Sequence, residues 1–303
     1  MRIIFLGTAG SFPTAKRGLP AVAVTRKGEL LLFDCGEGTQ RQMIISKTKF
    51  SSRMKIFITH MHGDHVLGLL GLFQSMALFD RRTPVNLYGP KGVCDFVRSF
   101  KETVQFSLTF PIEAEEVDEG IICTDREYSV KAAWADHAIP TLAYALIEKA
   151  RPGIFYPEKA RRLGVPEGQL WSKLQHEGKV TLPNGQVVTS NQVMGPPRRG
   201  RKVVYSGDTR PCDAVLKLAE GADILIHEAT LDDSLANKAY ETGHSTPSQA
   251  AEIAKKANVE QLILSHIGGR YVYPDELLEQ ARRVFPKVEI AEDFMELEVA
   301  HST

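Results

Sequence analysis

Short apolar runs that stop at polar, glycine-bearing turns recur along the chain. Arg2-Ile3-Ile4-Phe5-Leu6 stops at Gly7-Thr8-Ala9-Gly10, Ile56-Phe57-Ile58 at Thr59-His60, and Val85-Asn86-Leu87-Tyr88 at Gly89-Pro90. Residues 21–24 and 30–33 flank Lys27-Gly28. Runs of this length bounded by turn formers predict strands, the last two joined as a hairpin. Residues 39–45, the Leu- and Phe-lined 66–79, and 92–103 predict helices.

The rhythm returns after residue 202. Val203-Val204-Tyr205-Ser206 stops at Gly207-Asp208-Thr209, Ile224-Leu225-Ile226 at His227-Glu228-Ala229-Thr230, and Gln261-Leu262-Ile263-Leu264 at Ser265-His266. Residues 248–257 predict a helix, with Ser245, Thr246 or Ser248 as its cap and Pro247 near its first turn. Two such halves predict a layered α/β sandwich, with its chemistry along one edge where strands give out into loops.

Residues 149–202 break this rhythm. They hold six prolines, seven glycines and little sustained periodicity, with eleven Lys/Arg against three acids. The whole chain has a formal net charge of zero, so the +8 of this segment is balanced by −8 elsewhere. A solvated surface insertion and a basic arm for a polyanion both fit that composition. Phe155, Tyr156 and Trp171 lie inside it, available for a small core of its own or for stacking on bases.

Bulk composition narrows the class only modestly. The 303 residues are 43% apolar and 24% charged, as in ordinary soluble globular proteins. Cys35, Cys94, Cys123 and Cys212 form no CxxC pair, which argues against a cysteine metal site and, at this length, a disulfide framework. Reduced thiols and a cytoplasmic location are expected. No apolar stretch approaches the roughly 18 residues of a membrane helix, and the first residues lack a signal-peptide pattern.

The densest chemistry is Thr59-His60-Met61-His62-Gly63-Asp64-His65. Crowding three imidazoles and a carboxylate into one turn without a cation would desolvate them for little return. Imidazole nitrogen and carboxylate oxygen suit Zn²⁺, with Mn²⁺ or Fe as alternatives. One turn cannot complete two coordination shells. His137, Asp208 and His266 are the candidates for the remainder.

This H-x-H-x-D-H cluster, followed by His, Asp and His in that order, resembles the metallo-β-lactamase superfamily. Phe5-Leu6-Gly7-Thr8, Leu32-Phe33-Asp34-Cys35-Gly36-Glu37-Gly38-Thr39-Gln40 and Tyr88-Gly89-Pro90 narrow the resemblance to the ribonuclease Z family. Tyr205-Ser206-Gly207-Asp208-Thr209-Arg210, His227-Glu228-Ala229-Thr230 and His244-Ser245-Thr246 continue it. The match runs over essentially the whole chain, at the length of the family's short form. Members of that family remove 3′ trailers from precursor tRNA.

The resemblance implies a single metallo-β-lactamase-type domain over 1–303. It would be a four-layer αβ/βα sandwich, with 149–202 as an inserted flexible arm that grips the tRNA. It implies two Zn²⁺ per subunit, with Mn²⁺ as the other candidate. His60, His62 and His137 would hold one, Asp64, His65 and His266 the other, and Asp208 would bridge them. Asp34 is implied as a carboxylate steadying the ligand loop. In the implied hydrolysis Asp64 also takes the proton of the attacking water, and His244, oriented by Glu228, protonates the leaving 3′ oxygen. Products would be a tRNA 3′-hydroxyl and a trailer 5′-phosphate.

Lys16, Arg17 and Arg270, with Arg198 and Arg199 of the arm, are candidate substrate contacts. A homodimer is implied, one subunit's arm serving the other's site. One loop departs from the family pattern: Pro13-Thr14-Ala15-Lys16-Arg17-Gly18 ends in Arg-Gly where the family has Arg-Asn. Another hydrolase on the same fold, such as a cyclic-nucleotide phosphodiesterase or an arylsulfatase-like esterase, would share the metals without needing the arm. A non-catalytic RNA-binding scaffold would require broken ligands, and all seven candidates are present.

Overall fold

Strands covered on both faces become apolar at nearly every position, and this is why the runs above lack a strict alternation. The structure, a computed structural model, describes residues 1–301. Residues 1–147 and 202–300 form one compact unit, and residues 148–201 with the described residue 301 form a second.

The larger unit carries two seven-stranded sheets. The first runs Glu296–Glu298, Arg2–Gly7, Ala21–Arg26, Glu29–Phe33, Arg53–Phe57, Val85–Gly89, Ile112–Glu116. Its pairings are antiparallel up to Glu29–Phe33 and parallel beyond. The second runs Val288–Ile290, Gln261–Ser265, Ile224–Glu228, Lys202–Tyr205, Thr141–Glu148, Tyr128–Ala135, Gly120–Thr124, with its first four strands parallel. The expected hairpin turns at Lys27-Gly28, both with positive φ (44° and 76°), as a two-residue connection between twisted strands requires.

Successive residues of one strand face opposite layers. Ile3 and Phe5 enter the core between the sheets with Phe33, Phe57, Tyr144 and Tyr205. Ile4 and Leu6 pack on the other side with Leu69, Phe73 and Met76 of the helix Gly68–Leu78. On the outer face of the second sheet, Leu225 and Leu262 share a core with Ala250 and Ala254 of Pro247–Lys256 and with Leu277 and Ala281 of Asp275–Val284. Each large apolar side chain removed from water in this way contributes about 1.5–3 kcal/mol. The order is helix, sheet, sheet, helix.

Two local expectations are refined. The helix expected over 66–79 starts earlier, as Gly63–Val66 followed by Gly68–Leu78, so Asp64 and His65 sit in a first helical turn. Of the three candidate caps only Thr246 caps Pro247–Lys256, its hydroxyl accepting from the Gln249 N–H while the Gln249 side chain accepts from the Thr246 N–H. The Ser245 hydroxyl donates to Thr209 O instead (2.6 Å), and the Ser248 hydroxyl donates to Asp233.

The smaller unit is more regular than its sequence suggests. Helices Pro157–Arg162 and Gln169–Glu177 precede a hairpin of Lys179–Thr181 with Val187–Thr189 and a short helix, Ser190–Val193. Ala160, Val165, Leu174, Val180, Val188 and Val193 form its own buried cluster. Phe155 and Trp171 pack on that cluster, 5.3 Å apart, and Trp171 Nε1 donates to Val165 O (3.1 Å). Of the two roles open to these two rings, the core has taken them.

Candidate metal centre

Parallel strands release their carboxyl ends on the same side of a sheet, and loops from several of them can converge there. Thr59 to His65 follow Arg53–Phe57, Asp208 follows Lys202–Tyr205, Glu228 closes Ile224–Glu228 and His266 follows Gln261–Ser265. The convergence is close. Asp208 Oδ2 lies 3.7 Å from His60 Nε2, 3.5 Å from His65 Nε2, 4.0 Å from His137 Nε2 and 3.3 Å from His266 Nε2. Asp64 Oδ2 lies 3.6 Å from both His65 Nε2 and His266 Nε2. His60, His62, His137 and Asp208 thus make one group of clustered donor atoms, and Asp64, His65 and His266 another. One oxygen of Asp208 faces both.

Hydrogen bonds behind the rings settle which nitrogen points inward. His65 Nδ1–H donates to Asp34 Oδ2 (2.7 Å), and His137 Nδ1–H donates to Gly243 O (2.7 Å). The Thr59 hydroxyl gives its one proton to Asp34, so it accepts from His60 Nδ1–H (2.9 Å). The Thr230 hydroxyl donates to Glu228 Oε2 (2.6 Å) and accepts from His266 Nδ1–H (2.8 Å). All four rings therefore turn an Nε2 lone pair into the cluster. Asp34 also accepts from Tyr205 OH (2.9 Å). Gly243, with φ 82°, lies so close to His137 that a Cβ there would meet Nδ1 at 2.7 Å, which explains a glycine at this position.

The donor set fits divalent cations. His65 Nε2, His266 Nε2 and Asp208 Oδ1 are buried without a hydrogen-bond partner, costly for polar atoms unless something else satisfies them. His62 Nδ1 lies 3.0 Å from His60 Nε2 and 3.4 Å from His137 Nε2, close to the edge of about 3.3 Å of a tetrahedron built on Zn–N bonds of roughly 2.0–2.1 Å. Burial opposes charge on His65, yet Asp208 and Asp34 outweigh it and hold the imidazole well above its ordinary pKa. Burial likewise opposes charge on Asp208, and His266 and His65 outweigh it. Burial and neighbouring imidazoles hold His60 and His62 below the ordinary value, so the pocket crowds groups of opposed charge preference. Strain accompanies it, because Asp34 and His266 adopt left-handed φ of 57° and 53°.

A second pair adjoins the ligands. Glu228 Oε1 accepts from His244 Nδ1–H (2.8 Å) and from the Thr209 N–H (2.8 Å), and Oε2 from the Thr230 N–H and hydroxyl. Burial works against a charged His244, but Glu228 prevails and raises it to about 9.

The candidate substrate contacts divide. Lys16 is exposed above the Tyr273 ring, and Arg270 is exposed beside the cavity that His244 borders. Arg17 points inward instead: its guanidinium donates to Thr8 Oγ1 and Ala291 O, both at 2.6 Å, and so braces the loop. Gly18 completes that brace by donating its N–H to Asp293 Oδ2 (2.7 Å). In the smaller unit Arg199 is exposed, while Arg198 is half-buried and donates to Pro152 O. Sequence reasoning missed Thr59, Thr230, Tyr205 and Gly243, whose residue types are common and whose roles depend on what they touch.

Comparison with known proteins identifies the family. A family model described as Anti-Pycsar protein Apyc1 matches residues 1–106, and one described as Beta-lactamase superfamily domain matches residues 170–267. Ribonuclease Z of Methanosarcina acetivorans is 47% identical over 302 residues, and that of Methanosarcina mazei 48%, each alignment covering 99% of both chains. The crystal structure of human tRNase Z, short form, superposes with a TM-score of 0.74 at 31% identity, over 99% of this chain and 100% of that one. With similarity of this degree from end to end, the chain belongs to the ribonuclease Z family, on the metallo-β-lactamase fold.

Proposed function

We propose that the chain is a zinc-dependent endoribonuclease that removes the 3′ trailer of precursor tRNA in the cytoplasm, leaving a tRNA 3′-hydroxyl and a trailer 5′-phosphate. Family membership supports the tRNA 3′ endonuclease activity. The observation that carries the metal-dependent reading is the convergence of lone pairs on Asp208 Oδ2, each fixed by a hydrogen bond behind its ring.

His60, His62 and His137 would hold one cation, Asp64, His65 and His266 the other, and Asp208 both. Bound there, two divalent cations supply an activated water and neutralise the phosphate. Asp64, steadied by the Ser11 N–H at 3.0 Å, takes the proton of the attacking water. His244, held protonated by Glu228, gives its proton to the leaving ribose 3′ oxygen. Mn²⁺ is compatible with the same donors. The +8 unit of residues 149–202 serves as the tRNA-gripping arm, with Arg199 among its exposed cations. A homodimer is supported by exposed Ile44, Leu67, Leu78 and Phe79 on or beside the packed helices Thr39–Ile45 and Gly68–Leu78.

The test is incubation with a 3′-extended tRNA, mapping both product ends with and without chelator. Cutting at the tRNA end that stops with chelator and returns with zinc is expected. Asp208→Ala should release metal and abolish cleavage. Hydrolysis of a small chromogenic phosphodiester with an untouched precursor would instead assign another phosphodiesterase of this fold.

A further inference from the structure

One aromatic ring is held open at the edge of the centre. Ala9–Gly10 pairs in parallel with Ile267–Gly268, so Ser11-Phe12 and Gly269-Arg270 continue side by side. Ser11 adopts φ 66°, uncommon for a residue with a side chain, and its N–H donates to Asp64 Oδ2 (3.0 Å). The Phe12 N–H donates to Gly10 O (2.8 Å). Held this way, the Phe12 ring lies against Gly269 so closely that a Cβ there would sit 2.5 Å from Cζ. Yet Phe12 remains 57% exposed. The strained turn that steadies a candidate ligand carboxylate thus also presents a bare ring to solvent, and the core does not explain it.

That ring borders a cavity of about 360 Å³, which also takes in Thr230, Lys238, His244 and Arg270. Lys238 and Arg270 are exposed and have no carboxylate partner among the described residues. An aromatic face, two unpaired cations and the proposed proton donor around one cavity suit a nucleotide: ring for base, cations for phosphate. His244 selects which nucleotide, because its proton goes to the ribose 3′ oxygen that leaves. We infer that this cavity seats the last nucleotide retained on the tRNA, its base stacked on Phe12 and its flanking phosphates met by Lys238 and Arg270. The assignment rests on the nuclease reading above.

A cycle between ring and base tests it. The kcat/KM of wild type, Phe12→Ala, Phe12→Leu and Phe12→Trp is measured on two precursor tRNAs, one normal and one abasic at that nucleotide. Phe12→Leu keeps apolar packing on Gly269 without an aromatic face. On the normal precursor the Ala and Leu variants should fall about tenfold or more, and the Trp variant should stay near wild type. On the abasic precursor all four should agree, with zinc content equal throughout. Phe12→Leu matching wild type, or equal losses on both precursors, overturns the stacking role. A wild-type protein that cuts the normal precursor while the variants behave alike overturns this assignment alone; a wild-type protein that leaves it intact overturns the nuclease reading as well.

Discussion

At the scale of single residues, two carboxylates each fix two imidazoles, one directly and one through a threonine. Asp34 holds His65 and, through Thr59, His60; Glu228 holds His244 and, through Thr230, His266. A hydroxyl has one proton, and giving it to the carboxylate obliges the oxygen to accept from Nδ1–H, which fixes the tautomer and frees Nε2. Thr230→Val keeps the shape and removes the acceptor. At the proposed two-zinc centre, affinity in chelator competition should drop about 10- to 100-fold for one equivalent, and Thr230→Ser should restore it. Unchanged affinity in the valine variant would remove Thr230 from the account of the site. A second residue-scale consequence concerns Cys35. Burial pushes its thiol up to about 12, with Thr39 opposing the effect and Asp34 adding to it. An unfolded thiol ionises near roughly 8.5, so raising the pH above that value favours the unfolded chain, which alone carries the thiolate. At pH 8.5 iodoacetamide should leave Cys35 unmodified in the native protein and alkylate it in denaturant, as peptide mapping would reveal.

At the scale of elements, what was legible in the sequence depended on how many layers cover a segment. Arg53–Phe57 and Ile224–Glu228 are central strands, and their apolar runs followed by ligand-type residues announce both the strand and the loop. Ile112–Glu116, the last strand of its sheet, reads Ile-Glu-Ala-Glu-Glu because its outer side meets water, and no such run marks it. Thr141–Glu148 is buried almost throughout, but its Ala and Leu favour helix as readily as strand, so packing decides what composition does not. The elements of the smaller unit are too short to establish a period. The candidate metal ligands stood out because imidazole and carboxylate at that spacing are unusual; Thr59, Thr230 and Phe12 acquire meaning only from neighbours distant in the chain. The Thr246 cap shows the same limit, since three adjacent candidates were equivalent until Gln249 closed a capping box with one of them. Thr246→Ala should cost about 1 kcal/mol and lower the melting temperature by roughly 2–4 °C, whereas Ser248→Ala leaves that capping box intact. Calorimetry that finds Thr246→Ala as stable as the wild type would count against Thr246 as the cap.

At the scale of the whole molecule, the informative quantity is how a zero net charge is divided. Residues 149–202 carry +8 and the remainder −8, so the total conceals a strongly cationic unit. Lys159, Arg162, Lys173 and Lys179 are exposed in it, which makes them available to phosphates. Each cation that neutralises a phosphate releases a counterion, and affinity for the polyanion then falls steeply with salt. The acidic remainder should repel RNA except where the metal centre offsets it. On the proposed function, binding and chemistry fall to different parts of the chain, and separate variants should affect them. Replacing Arg162, Lys173 and Lys179 together by Gln should weaken precursor tRNA binding and flatten its log–log salt dependence by about one unit for each phosphate no longer neutralised. Turnover of a small phosphodiester should not change, because nothing in that reaction requires a long polyanion. Deleting residues 152–196 should exaggerate the contrast, raising KM for the precursor far more than it lowers small-substrate turnover. If both activities fell together, or the salt slope stayed as in the intact protein, the cationic unit would have to support the catalytic centre structurally rather than hold tRNA.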